Sequence, residues 1–456
     1  MTTVSRELPY RSAAALFDPL AGDPWAMLLD SAGASREVGR WDILVCDPVE
    51  TLVFDGTRTE TRNAAGSTHD SRPFLSVLRE RLRAMAPTRP SSLPFTGGAV
   101  GYLGYDLARQ IERLPSIAPA DDRMPVCAIG LYDSAVLVDH ATQRCELVGS
   151  PANATRRARI ESLSERLAAG PPSAPAGRAF ECRDGLHADR TTAEYHRAIE
   201  RILAYIRDGD CYQVNYAQRL RARVAGDPWL AYCLLRELSE APFSAYLNLP
   251  HGQVLSSSPE RFLRLSGGVV RTEPIKGTRP RDDDPDQDAA WAAALAQSAK
   301  DRAENLMIVD LLRNDLGRVC RTGSIEVPQL WAVRSFANVH HLVSTITGVL
   351  REEVDAVGVL EATFPGGSIT GAPKVRAMQI IDELEVARRG VYCGAIGYIG
   401  LDGRMDFNIA IRTMTLAAGE LRFWAGGGIV ADSSPDAEFA ETIAKAATMR
   451  RVLSCG

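Results

Sequence analysis

Four segments of the chain combine polar groups with turn or cap geometry. The first is Glu273-Pro-Ile-Lys-Gly-Thr-Arg-Pro280, in which Lys276 stands between an isoleucine and a glycine. Desolvation in so short and stiff a stretch would lower the lysine pKa and make its neutral amine a nucleophile or a base. Taken alone, such a lysine reads more often as a solvated residue in a turn. The second is a pair of acidic helix faces. Glu438, Glu441 and Lys445 fall at i, i+3 and i+7 behind Ser434 as N-cap and Pro435 at the first helical position, while Asp301 and Glu304 stand three apart in a central helix. Carboxylate pairs from two distant helices suit a hard cation such as Mg²⁺, which takes one or two carboxylates plus substrate and water. Either face alone is more simply a solvated surface. The third, Trp424-Ala-Gly-Gly-Gly-Ile-Val430, sets three glycines between a strand and the C-terminal helix, where bare N–H groups at a bend can receive an anion or merely make a tight turn. The fourth, Phe364-Pro-Gly-Gly-Ser-Ile-Thr-Gly-Ala-Pro-Lys374, is a hydroxyl-rich loop entering a helix at Pro373. Arg412 and Lys445 complete a set of groups suited to carboxylates, which arginine binds bidentately. The ligand class this chemistry suggests is a small dianionic acid held with a metal.

The elements that must position these groups are mixed strands and helices. Apolar runs at Asp42–Cys46, Thr51–Phe54 and Ala135–Val138 predict strands, and residues 73–85 a helix. Thr191-x-x-Glu194 is a capping box ahead of Tyr195, Ile199, Ile202 and Ile206 at helical spacing, stopped by Gly209. A long helical stretch covers about 287–319. Met405, Phe407, Ile409 and Ile411 alternate with Asp406, Asn408, Ala410 and Arg412, predicting one strand after an Asp402-Gly403 hairpin turn, with Arg412 on its polar face. The alternation lapses at Thr413 and Met414. Mixed order without strict βαβα alternation favours α+β with largely antiparallel sheet. The Pro/Gly/Ala segment 168–177 is the sharpest composition break, and 169–184 reads as a linker between residues 1–168 and 185–456.

Composition excludes other classes. With 456 residues, 45% hydrophobic and 24% charged, the chain is globular. Its net charge of −5, without a long basic run, argues against nucleic-acid or anionic-membrane partners. Nine scattered cysteines with no C-x-x-C pair predict reduced thiols, not disulfides or zinc. No 18-residue apolar stretch and no apolar signal-like run occur, which predicts a cytoplasmic protein. No G-x-x-x-x-G-K-[ST] and no G-x-G-x-x-G after the first strand supports a nucleotide site.

Seven ordered segments together resemble the chorismate-utilising enzymes, the family of anthranilate synthase component I, aminodeoxychorismate synthase component I and isochorismate synthases. They are Gly209-Asp-Cys-Tyr-Gln-Val-Asn215, Ser257-Ser-Pro-Glu-Arg-Phe262, Pro274-Ile-Lys-Gly-Thr278, the run from Ala303 to Asp315, His341-Leu-Val-Ser344, Gly366 to Lys374, and Ala425-Gly-Gly-Gly-Ile-Val430. The match is strong over 185–456 and looser over 1–168. The resemblance implies a large two-sheet antiparallel β-sandwich with helices packed outside, built by both halves of the chain.

Two positions divide the family by nucleophile. Isochorismate-type members carry a lysine base that activates water where this sequence has Gln213, which implies ammonia as nucleophile. Anthranilate synthases usually carry alanine where this sequence has Lys276, and the lysine resembles the aminodeoxychorismate branch. The resemblance then implies that Lys276 adds to C2 of chorismate as the 4-hydroxyl leaves, with Glu260 as general acid and His341 beside the reacting ring. Ammonia displacing at C4 would give 4-amino-4-deoxychorismate. By the same resemblance Glu304 and Glu441 bind Mg²⁺, with Asp301 and Glu438 nearby. Gln213, Gly277, Thr278, Tyr398, Arg412, Gly426, Gly427, Gly428 and Lys445 line the substrate. Pro24-Trp-Ala-Met-Leu-Leu-Asp-Ser31 resembles the segment that contributes a tryptophan pocket, through Asp30 and Ser31. No G-x-C-x-G segment of a glutamine amidotransferase is present, so a separate glutaminase subunit is the expected ammonia source. The rival expectations are anthranilate synthase component I and a non-catalytic tryptophan- or chorismate-binding regulatory subunit. The second conflicts with intact Glu260, Lys276, Glu304 and Glu441.

Overall fold

A computed structural model describes residues 4–33, 39–85, 92–149, 154–169, 179–336 and 338–454. Two sheets, of 13 and 12 strands, form the centre. Their ladders are antiparallel, and the inner faces meet in a core that includes Met27, Ile43, Ala245 and Leu247 of one sheet and Val100, Tyr102, Ala128 and Ile396 of the other. This is the α+β sandwich that the resemblance implied.

Helices cover both outer faces. Phe74–Ala84, Ala299–Gly317 and Ala356–Thr363 place Phe74, Leu78, Ile308, Leu312 and Leu360 on the 12-stranded sheet. Pro228–Ser239 and Pro435–Ser454 place Trp229, Tyr232, Met449 and Val452 on the other. Each such side chain, buried at helical spacing, contributes about 1.5–3 kcal/mol. The Thr191–Glu194 capping box forms at the start of Thr192–Arg207. The long central stretch, however, is two helices. Pro285–Gln297 ends at Ser298, whose hydroxyl accepts from the Asp301 N–H at 3.3 Å to start Ala299–Gly317.

Both halves of the sequence build both sheets. Met27–Asp30 pairs with Phe243–Leu249 in one, and Gly98–Leu103 pairs with Ala395–Gly400 in the other. Residues 170–178 of the segment read as a linker lie outside the described residues. Just beyond them, Glu181–Cys182 adds a short strand to Gln213–Ala225. No helix among the described residues is long and apolar enough to cross a membrane.

The expected continuous strand through Arg412 is broken. Met405–Asn408 pairs in the 12-stranded sheet and Thr413–Ala417 in the 13-stranded one, so residues 409–412 cross from sheet to sheet. The lapse of alternation at Thr413 marks where the second strand begins.

Candidate active site

Lys276 owes its position to a bulge. Val269–Glu273 and Ile275–Pro280 run along one edge of Val339–Val349 in constant register across Pro274, until Gly277 shifts the pairing. Bulges re-aim side chains beside reactive centres. Gly277 has φ +77°, and a Cβ there would stand 2.8 Å from both Asp301 Cγ and Leu295 Cδ1. Only glycine lets this strand meet the helix that carries Asp301 and Glu304. Lys276 Nζ donates to the Ser368 carbonyl at 3.0 Å. Burial pushes its pKa down, opposed by Glu304, Glu260 and Glu441, with Lys445 acting in the same sense as burial. A lowered lysine is what a nucleophilic amine requires.

Glu260 is buried beside it. Loss of water raises its carboxyl pKa, against the Ser368 hydroxyl bond and the charges of Lys276 and Lys445. That direction favours a held proton, as a general acid needs. His341 reaches the same cleft from Val339–Val349. Its Nδ1 lies 3.0 Å from Thr278 Oγ1, and its buried Nε2 has no partner among the described residues. Burial, with Arg412 and Lys445 facing it, brings its pKa down to about 3, so the ring is neutral.

Arg412 adopts φ +50° at the crossover between the sheets, where its carbonyl accepts from the Ser257 N–H at 3.1 Å. Burial alone lowers its pKa, and no described residue forms an ion pair or hydrogen bond with its guanidinium. A desolvated guanidinium without a carboxylate is costly unless a ligand supplies the anion. Gln213 is likewise buried with both amide atoms unpartnered.

Gly426, Gly427 and Gly428 differ from expectation. They lie inside the strand Glu420–Ile429, paired with Ala217, Tyr216 and Asn215, and not at a bend before the helix. Among the described residues, this strand is paired on one side only beyond Phe423. Lys445 Nζ donates to the Gly426 carbonyl at 3.0 Å and pairs with Glu441 at 2.6 Å. A Cβ at Gly427 would lie 3.2 Å from Glu438 Oε2 and from Glu441 Oε1, so its absence makes room for both carboxylates.

The carboxylates converge from two helices. Glu304 is raised by burial and by Asp301 and Glu441, and Glu438 by burial and Glu441, whereas Lys445 brings Glu441 down against its burial. Asp301 is engaged by Arg279 at 2.9 Å. Among the described residues no group of three or more His, Cys, Asp or Glu is arranged to hold a metal ion unaided. Oxygen donors that repel one another nevertheless fit Mg²⁺, which draws the rest of its shell from substrate and water.

Tyr398 does not join this group. Strand alternation puts it with Ile396 on the inner face of the sandwich, where it packs on Phe95 at 5.5 Å and lines a separate cavity of about 340 Å³. That cavity is also lined by Asp30, whose carboxylate takes the Tyr232 hydroxyl at 2.9 Å and Arg236 Nε at 2.6 Å. Ser31 lies outside the lining, its N–H donating to Asp42 at 2.7 Å. Conversely, Ser368, to which the sequence assigns no role, meets Lys276 through its carbonyl. The signal was its place in a glycine-flanked turn; nothing local tells which way that turn faces.

The class follows from this fold and cleft together with the family model for chorismate binding enzymes, which matches residues 26–451. The chain belongs to that family. An aminodeoxychorismate synthase component 1 from Klebsiella aerogenes is 47% identical over 442 residues, covering 96% of each chain. An anthranilate synthase component 1 from Pseudomonas aeruginosa is 38% identical, covering 95% of this chain and 91% of its own. Among solved structures, anthranilate synthase component I from Streptococcus pneumoniae superposes with a TM-score of 0.82 at 32% identity, covering 90% of this chain and 92% of that one.

Proposed function

We propose that this protein aminates chorismate at C4 to give 4-amino-4-deoxychorismate, the chemistry named for its aminodeoxychorismate synthase relatives. The observation that carries the reading is Lys276, an amine with lowered pKa beside a carboxyl with raised pKa. The Lys276 Nζ lone pair forms a bond to C2, both ring double bonds shift, from C1=C2 to C1=C6 and from C5=C6 to C4=C5, and the C4–O bond breaks. Glu260 gives its proton to the departing hydroxyl, which leaves as water. Ammonia then bonds to C4, the double bonds shift back as the C2–Nζ bond breaks and the neutral amine is returned, and the new C4 ammonium gives a proton back to the Glu260 carboxylate. Splitting one hard substitution into two is the gain of a covalent intermediate.

Arg412 and Lys445 bind the substrate carboxylates, and neutral His341 with Thr278 orients the ring. Gln213 offers its unpartnered amide in the cleft. Glu304 and Glu441 would hold Mg²⁺, with Glu438 and Asp301 adjacent, and the ion would neutralise the ring carboxylate. Ammonia comes from a separate glutamine amidotransferase subunit, in keeping with the component naming of the relatives. The cavity beside Asp30 takes tryptophan, and the protein works in the cytoplasm.

The test incubates the purified chain with chorismate, Mg²⁺ and ammonium. A product that becomes 4-aminobenzoate only after a lyase is added supports the proposal. Fluorescent anthranilate with pyruvate, and no lyase present, overturns it.

A further inference from the structure

Two histidines stand side by side on the strand Val339–Val349, and their rings meet different company. His340 has both nitrogens engaged: Nδ1 lies 2.8 Å from Ser335 Oγ and Nε2 lies 2.9 Å from the Asp288 carboxylate. His341 has one. Its Nδ1 lies 3.0 Å from Thr278 Oγ1, and Phe336 packs edge-on to the ring with centroids 5.5 Å apart. Its Nε2 is buried without a partner among the described residues. The bulge at Gly277 creates the threonine contact. Lys276 pairs with Leu342, so an unshifted strand would set Thr278 opposite His340; the extra residue sets it opposite His341.

We infer that Thr278 is a positioning residue that holds His341 in the Nδ1–H tautomer, so that Nε2 offers a lone pair to the bound substrate; the part played by substrate rests on the proposed amination of chorismate. A hydroxyl both donates and accepts, so Thr278 alone permits either tautomer. The other nitrogen decides. With the proton on Nε2, a buried N–H would be left without an acceptor, which folded proteins tolerate less well than an idle acceptor. With the proton on Nδ1, the N–H donates to Thr278 Oγ1 and a lone pair is all that is left over. His340 shows the contrast: Asp288, kept ionised by Arg281, can only accept, and so fixes the His340 proton on Nε2. Chorismate as a dianion has a single O–H, at C4, while its carboxylates and ether oxygen only accept. An acceptor at Nε2 therefore takes the C4 hydroxyl. With its hydrogen engaged, that oxygen keeps its lone pairs for the proton of Glu260. A pKa of about 3 keeps His341 from removing the hydroxyl proton itself.

The experiment records nitrogen-15 spectra of the histidine-labelled protein at neutral pH without substrate, for wild type, Thr278→Val and Thr278→Ser. The His341 signals are those lost in His341→Gln. Wild type and Thr278→Ser should show a protonated Nδ1 and a bare Nε2. Thr278→Val, which keeps the shape and removes the hydroxyl, should give a mixture in which Nε2–H appears. Kinetics with chorismate, Mg²⁺ and ammonium then read the consequence. Thr278→Val should lower kcat/KM by roughly tenfold, the scale of one hydrogen bond, and Thr278→Ser by less than about twofold. In the His341→Gln background, adding Thr278→Val should change kcat/KM by less than about twofold. A wild-type ring protonated on Nε2 overturns the inference, and this spectrum decides the tautomer even if the valine variant does not fold. An unchanged spectrum or an unchanged kcat/KM in Thr278→Val also overturns it. So does a loss of the same size in both backgrounds, which is what a merely structural residue gives. Failure of the wild type to turn over chorismate refutes the proposed function and the substrate's part in this inference, while the spectra still decide the tautomer.

Discussion

Lys276 is held in a setting that costs folding free energy, because its surroundings disfavour the charged amine. Removing it should therefore damage chemistry and spare stability. Lys276→Ala is expected to lower amination by at least about a hundredfold, the scale on which a positioned catalytic group acts. Its melting temperature should stay at or above that of the wild type. Intact-mass spectra should lose any chorismate-sized adduct, and a product shift toward anthranilate would fit the alanine of that branch. His341 has the opposite linkage to most stabilising histidines. Its folded pKa of about 3 lies below the ordinary 6.5, so below pH 6.5 the unfolded chain binds a proton that the folded chain refuses. Stability should fall as pH drops from about 6.5 toward 3, by about 1.4 kcal/mol per pH unit from this one group. The contribution is constant above pH 6.5. Urea unfolding at pH 7 and pH 5, compared between wild type and His341→Gln, isolates it. Equal slopes for the two proteins would show that the ring titrates normally.

At the scale of elements, the cleft is made where strand ends and helix starts meet, and glycine decides how closely. Gly427 separates its strand from Glu438 and Glu441 by 3.2 Å, measured to the place a Cβ would take. Gly427→Ala presses on two side-chain carboxylates and on no backbone, so the side chains should give way. The expected result is a concentration of Mg²⁺ for half-maximal activity raised by about tenfold, roughly 1.4 kcal/mol, with a melting temperature within a few degrees of wild type. An unchanged Mg²⁺ requirement would separate these carboxylates from the metal. The same elements show what could be read in advance. Caps and periods were legible because they are local: the Thr191 box, the helix start at Ser434 and the Asp402-Gly403 turn all formed. The lapse in alternation at Thr413 marked the start of the second strand, but the alternation continues through Ile409–Arg412 and does not say that the chain changes sheets there. Tyr398 was assigned to the substrate through the resemblance alone, and in the fold it shares the inner face of the sandwich with Ile396 and packs on Phe95. The glycine run read as a bend because side-chain-free residues carry no periodicity of their own. Its pairing with Gln213–Ala225 joins residues far apart in sequence.

For the whole molecule, the composition break near residue 170 and the sheet order point to different units, and the ladders decide between them. Met27–Asp30 is hydrogen-bonded to Phe243–Leu249, and Gly98–Leu103 to Ala395–Gly400. Residues 185–456 expressed alone would leave the Phe243–Leu249 edge and the Ala395–Gly400 edge without these partners. They would also expose the faces of Ala245, Leu247 and Ile396 that now meet Met27, Val100 and Tyr102. Open apolar strand edges of that kind aggregate. The fragment should therefore be insoluble or unfolded, despite carrying Glu260, Lys276, Glu304, His341, Arg412 and Glu441. Co-expression with residues 1–168 should restore a soluble complex that aminates chorismate, because the break falls outside both sets of shared ladders. The intact chain should unfold in one transition, with near-ultraviolet and far-ultraviolet signals lost together. A fragment 185–456 that folds alone and turns over chorismate would mean that the first 168 residues are an attached module. Because residues of both halves line the cavity beside Asp30, tryptophan binding there should raise the melting temperature of the whole chain.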